Sequence, residues 1–158
     1  LIYIQFYINK LKIFKILNKN RFMYQKKEIV NKLRCSGLRP TKQRILIAKT
    51  LFDRQKTFHF TIERLDKEIN KKGSKKISLA TIYNSVEAFT KAGYLKEILT
   101  SKSKSYYDTN IKSHHHFYDE STRELIDINY NQVELSKVPV PPKGKKIKNL
   151  EVIIRVQK

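Results

Sequence analysis

The stretch from Ser78 to Gly93 constrains the fold more than any other part of the chain. Leu79, Ile82, Val86 and Phe89 recur at helical spacing, with Ser78 at the N-cap position and Gly93 where a left-handed residue ends a helix. The period then changes at once. Tyr94 to Thr100 and Ser105 to Asp108 read as strands joined by a polar hairpin at residues 101–104. A helix stopped by glycine and followed directly by a hairpin is the order of a winged helix-turn-helix.

The upstream chain supplies the other helices. Ile29, Val30 and Leu33 mark a first helix from Gln25 to Arg34, ended by Gly37. Pro40 and Thr41 open a second, with Ile45, Leu46, Ala48, Leu51 and Phe52 as its expected buried side. Thr61 is the expected N-cap of a third, which carries Ile62, Leu65 and Ile69 and ends near Gly73. Beyond residue 112 the pattern becomes strand-like: His115 to Tyr118, a turn over residues 119–123, Leu125 to Ile128, a proline-rich loop, and a last strand in which Leu150, Val152, Ile154 and Val156 alternate. The expected fold class is α+β, an N-terminal winged helix-turn-helix DNA-binding domain (23–110) followed by a small α/β dimerisation and sensing domain (111–158). So small a sheet has too little apolar surface to stand alone, which favours a homodimer.

Residues 1–22 are Ile/Lys/Asn/Phe/Tyr-rich, and lysines interrupt their apolar run. They lack the order of a signal peptide and read as translated AT-rich upstream DNA, with Met23 the expected start. No run approaches the roughly 20 apolar residues of a membrane helix, and a chain with one cysteine is compatible with the reducing cytoplasm, where it is expected. The single cysteine, Cys35, excludes an internal disulfide and any paired-cysteine zinc knuckle; it reads as a bystander.

Charge points to the partner. The 158 residues carry a formal net charge of +20. Residues 23–112 hold 21 basic and 8 acidic side chains, a net +13, whereas residues 113–158 hold 8 and 6, a net +2. A lysine-rich genome spreads lysine evenly; an electrostatic footprint for phosphate concentrates it. The outward face of the Ser78 helix carries Ser78, Ala80, Thr81, Tyr83 and Asn84. Small residues permit close approach to the major groove of double-stranded DNA, methyl groups suit thymine, and Asn84 can pair with an adenine edge, as expected for an AT-rich operator. Arg39, Lys42 and Arg44 would neutralise backbone phosphates.

The run at 113–118 holds three of the four histidines. On a strand His114 and His116 share one face and His115 looks the other way, so the pair begins a chelate for a divalent metal (Fe, Mn or Zn). Two ligands do not make a site.

Residues 77–97 (ISLATIYNSVEAFTKAGYLKE), 37–51 (GLRPTKQRILIAKTL) and 59–65 (HFTIERL) resemble, in order, the recognition helix, the opening helix and the intervening helix start of ferric uptake regulator proteins. The resemblance implies a regulatory metal site of His59, Asp108, His114 and His116 at the hinge between domains, Asp108 standing eight residues before His116. It implies a second, weaker site at His115 and Glu134, incomplete because the family's further histidine has no counterpart here. Asp119 and Thr122 occupy the places of the family's first zinc-cysteine pair, so no four-cysteine structural zinc is expected. That departure and the triplet look like the iron response regulator subgroup, in which haem acts through the triplet, here His114, His115 and His116. The function implied is a transcription regulator, mainly a repressor, of iron and haem genes. Two other classes compete: a nonspecific nucleoid-type DNA binder, and a small metalloenzyme using Glu120. The absence of a nucleophile or HExxH pattern argues against the second.

Overall fold

The computed structural model describes residues 26–71, 76–100 and 104–158. The N-terminal stretch 1–25, with Gln25 and Met23, lies outside the described residues, as do Gly73 and the hairpin tip at 101–103. The chain divides into two compact units between Ile111 and Lys112, and the fold class is α+β.

The first unit runs α1 (Lys26–Cys35), α2 (Lys42–Phe52), β1 (His59–Phe60), α3 (Ile62–Lys71), α4 (Leu79–Lys91), β2 (Lys96–Thr100) and β3 (Lys104–Asp108). The strands form an antiparallel sheet in the order β1-β3-β2. Its core gathers Leu33, Ile47, Leu51, Leu65, Ile82 and Phe89 from all four helices, with Phe60 from β1.

Local chemistry sets the boundaries. Gly37 adopts φ +71° after α1, its N–H donating to the Arg34 carbonyl while that of Leu38 donates to Leu33. Gly93 repeats this pair of bonds after α4, to Thr90 and, through Tyr94, to Phe89. Both ends are glycine-terminated motifs that satisfy carbonyls the helix cannot reach. At the starts, Thr41, Thr61 and Ser78 each accept the backbone N–H three residues on. Asn70 braces the entry to α4: its amide donates to the Ile77 carbonyl at 3.0 Å and accepts the Ile77 N–H at 2.8 Å. One side chain thus imitates a strand partner and sets where α4 begins.

Two apolar assignments are corrected. Ile45 to Ala48 is an unbroken apolar run without a phase of its own, and the helix buries Ile47, Ala48 and Leu51 while leaving Leu46 47% exposed. Leu79 opens α4 ahead of the packed stretch and is also half-exposed, whereas Ser85 is buried with its hydroxyl donating to the Thr81 carbonyl.

The second unit is a three-stranded sheet of β4 (His114–Asp119), β5 (Glu124–Asn129) and β6 (Ile153–Val156), in the order β5-β4-β6, with one 3-10 turn at Tyr130–Gln132. β4 and β5 form an antiparallel hairpin, and β6 runs parallel to β4. The hairpin turn is closed by Asp119, whose Oδ1 accepts the N–H groups of Ser121 and Thr122, and by Arg123 at φ 58°. These bonds hold the Asp119 carboxyl below the usual carboxylate range. The last strand is shorter than its alternation implied, beginning at Ile153 rather than Leu150.

Candidate metal centre and nucleic-acid interface

In the first unit, β1 exists because two residues pair with the end of β3, placing His59 opposite Asp108. Asp108 is fully buried, with Oδ2 3.5 Å from His59 Nε2 and Oδ1 accepting the Asn110 N–H at 2.8 Å. A buried carboxylate is costly without compensating charge, so this pair is a natural anchor for a cation.

In the second unit, alternation along β4 puts His114 and His116 on one face and His115 on the other. The proton positions follow from their partners. His114 Nδ1 lies 2.7 Å from the Lys112 carbonyl, which can only accept, so Nδ1 carries the proton and Nε2 a lone pair. His116 Nδ1 lies 2.8 Å from Glu151 Oε1, an ion-pair distance without hydrogen-bond geometry. The two buried Nε2 atoms meet at 2.9 Å as a hydrogen bond, the His116 Nε2–H donating to the His114 Nε2 lone pair. A cation that takes both nitrogens displaces that proton. Asp127, opposite His116 in the hairpin register, brings Oδ1 to 3.5 Å from His114 Nε2 and 3.8 Å from His116 Nε2. With metal–nitrogen bonds of about 2.0–2.1 Å, ligand atoms lie about 2.8–3.4 Å apart at right to tetrahedral angles. The two Nε2 atoms already stand at such a distance, and the Asp127 oxygen lies just outside it.

His115 plays another part. The backbone N–H of Val152 donates to its Nδ1 at 3.2 Å, and its ring stacks on Tyr130. With Nδ1 accepting, Nε2 holds the proton and offers no lone pair, and a ligand there would have to displace that bond. Glu134, its suggested companion, is exposed just after the 3-10 turn. Glu120, weighed as a catalytic acid, accepts from the guanidinium of Arg155 at 2.9 Å. Cys35 is exposed at the end of α1.

On the DNA side, Ser78, Ala80, Tyr83 and Asn84 are exposed along one face of α4, with Tyr83 51% exposed. Thr81 is half-buried, and its hydroxyl meets that of Ser78 at 2.8 Å, so both serve the cap as well as the surface. Arg39 and Lys42 are exposed; Arg44 is half-buried and donates to the Arg39 carbonyl at 2.9 Å, bracing the loop before α2. The charged residues of α4, Glu87 and Lys91, pair at 2.5 Å in its C-terminal half, and the base-reading half carries no charge.

Residues 35–155 match the ferric uptake regulator family. The peroxide-responsive repressor of Staphylococcus epidermidis is 31% identical over 111 residues, covering 70% of this chain and 72% of its own. The chain belongs to the ferric uptake regulator family. Among solved structures, the ferric uptake regulator of Francisella tularensis, with iron, superposes at TM-score 0.63 and 20% identity, covering 77% of this chain and 92% of that one. That of Pseudomonas aeruginosa, with manganese, gives 0.61 at 24% identity, covering 81% and 96%. At these identities the likeness shows the fold alone. A ferric uptake regulator is a metal-responsive transcription regulator that binds DNA, typically as a dimer, and not an enzyme. Its relatives include peroxide-responsive repressors, so the narrower iron response subgroup is not carried by them. Among the described residues no helix is long and apolar enough to cross a membrane.

Sequence reasoning missed Asp127 and Glu151. Asp127 was within reach: pairing the ends of the two strand runs around the 119–123 turn, 115 with 128 and 118 with 125, sets it opposite His116. Glu151 was not, because a parallel crossover leaves register open.

Proposed function

We propose that the chain is a cytoplasmic regulator whose affinity for an AT-rich operator is set by a divalent ion on His114, His116 and Asp127. The family resemblance makes His59 and Asp108, residues of the DNA-binding domain (23–110), the further candidate ligands. The observation that carries this reading is the convergence of the Asp127 carboxylate and two buried imidazole Nε2 atoms 2.9 Å apart. Metal binding that shifts the equilibrium of the DNA-binding conformation couples metal to DNA affinity. α4 reads the major groove through Ala80, Thr81, Tyr83 and Asn84, with Ser78 capping it and Arg39, Lys42 and Arg44 along the phosphates.

Residues 111–158 form the homodimer. Ile126, Phe117 and Ile154 lie in one row across β5, β4 and β6, all at least 36% exposed, which supports a second copy of the sheet as their cover. The iron response reading makes iron and haem genes the targets. For haem as the effector, the triplet is the support; the deep burial of His114 and His116 favours a bare ion instead. The peroxide-responsive relatives add peroxide as a further candidate signal.

A mobility shift on promoter DNA of an iron, haem or peroxide gene tests this, with and without Mn²⁺, Fe²⁺, Zn²⁺, haem and peroxide. Metal-dependent binding that is lost in His114→Ala/His116→Ala is expected. Equal binding to random DNA at fixed salt, untouched by any effector, would falsify the reading in favour of a nucleoid-type binder.

A further inference from the structure

The near-neutral charge of the second unit hides a division within it. Residues 113–135, which hold the β4–β5 hairpin, carry one basic side chain, Arg123, and five acidic ones, a net −4. Residues 136–150, the crossover to β6, carry Lys137, Lys143, Lys145, Lys146 and Lys148 and no acid, a net +5. A lysine-rich genome spreads lysine over both stretches; a surface for a polyanion gathers it on one. All five lysines are exposed, and among the described residues none has a carboxylate partner.

The backbone that carries them is stiff. Pro139, Pro141 and Pro142 fix their own φ and lack N–H donors, which favours an extended chain. A tight turn follows, in which the Lys145 N–H donates to the Pro142 carbonyl at 2.9 Å and Gly144 takes φ +77° at the position that favours glycine. Little backbone freedom remains to be lost when these ammonium groups meet an anion.

We propose that the crossover 136–150 is a second phosphate-binding surface, which contacts the backbone of the DNA that α4 reads. The proposal rests on the reading of α4 as the DNA-reading element. Lysine ammonium groups on phosphate oxygens carry no sequence information. The crossover therefore adds affinity for all sequences alike, while Tyr83 and Asn84 supply discrimination. An anionic membrane surface is the rival partner, because Val140 and Ile147 are exposed beside the lysines. DNA is favoured: the chain belongs to a DNA-binding family, and the crossover has no helix to gather its apolar residues on one face.

The test is the salt dependence of binding of the full chain to a random-sequence DNA duplex, followed by fluorescence anisotropy from about 50 to 200 mM salt. Each phosphate neutralised contributes about 0.9 to the slope of log K against log salt concentration. Lys143→Gln/Lys145→Gln/Lys146→Gln/Lys148→Gln is expected to flatten the slope by about 0.9 for each lysine engaged, and a parent slope overturns the proposal. If that variant does not fold, Lys143→Gln/Lys145→Gln is read in the same way. An Arg39→Gln/Lys42→Gln control separates the two readings. If it flattens the slope and the crossover variant does not, only the present inference has failed; if neither does, the DNA-contact assignment of the first unit has failed with it. Vesicles containing phosphatidylserine probe the rival. Vesicle binding that the crossover variant loses, with the DNA slope unchanged, gives this surface to a membrane and overturns the proposal.

Discussion

The two units are held together by different chemistry. The first buries a continuous apolar core contributed by four helices and β1, and its buried polar side chains are few. Among the described residues, the second buries only Leu125 and Ile128 of its apolar side chains, and its interior is otherwise His114, His115 and His116. A core of aliphatic and aromatic groups is stabilised by leaving water, whatever the solution contains. A core of imidazoles is stabilised only when its nitrogens are well matched, and here the two Nε2 atoms share one proton beside the Asp127 carboxylate, a pairing that a bound cation would replace. One unit is built to persist, the other to respond.

The largest expected effect lies in the first unit and should be indifferent to metal. Phe89 is fully buried and meets Phe52 edge-on at 5.7 Å. Phe89→Ala should cost about 3–5 kcal/mol, the same with Mn²⁺ or with chelator, read by hydrogen exchange in peptides from residues 26–111. A metal-dependent loss there would break the comparison. Next comes the converse experiment. Metal at 100 times its dissociation constant should stabilise the second unit by about 2.7 kcal/mol, and His114→Ala/His116→Ala should remove that increment. Equal protection of both units on adding metal would remove the distinction.

This division also explains what could be read in the sequence. Helices α1 to α4 were legible because a 3.6-residue apolar stripe, a capping hydroxyl and a terminating glycine are local signals that agree. The run at Ile45 to Ala48 was misphased because four consecutive apolar residues carry no period. The H-x-H geometry followed from strand alternation alone. Glu151 and the Val152 bonds did not, since they depend on a parallel pairing across a proline-rich crossover whose register no local pattern specifies. The role of Asn70 was hidden for a related reason: a side chain acting as a strand partner leaves no periodic trace.

A smaller effect separates surface from core within the first unit. Tyr83 and Asn84 are exposed on α4, so Tyr83→Ala and Asn84→Ala should leave the unfolding transition unchanged. Asn84→Ala should weaken discrimination for the cognate operator by about 1–3 kcal/mol, measured against a sequence with the adenine steps replaced. If both variants bind operator as the parent does, α4 is not the reading element.

The smallest effect concerns the hairpin turn at the far end of the second unit's sheet. Asp119 is partly exposed, and its carboxyl is held below the usual range first by the Thr122 N–H and then by that of Ser121. The sign follows from linkage. A carboxyl whose folded value is depressed contributes stability that is fully present above its unfolded value, about 3.9, and is lost as pH falls through the folded one. Asp119→Ala should therefore be slightly less stable than the parent at neutral pH, with the gap closing below pH about 4 as the parent's carboxyl takes up its proton. Acid titrations of the two proteins without metal, followed by exchange in peptides covering residues 114–129, measure that gap. Because Asp119 lies at the opposite end of β4 from His114, the variant should bind Co²⁺ as the parent does. A gap that persists to low pH would mean that the turn is held by Arg123 and the backbone rather than by the carboxylate charge. Loss of Co²⁺ binding would show instead that turn and metal site are not separable, and that the second unit responds as one piece.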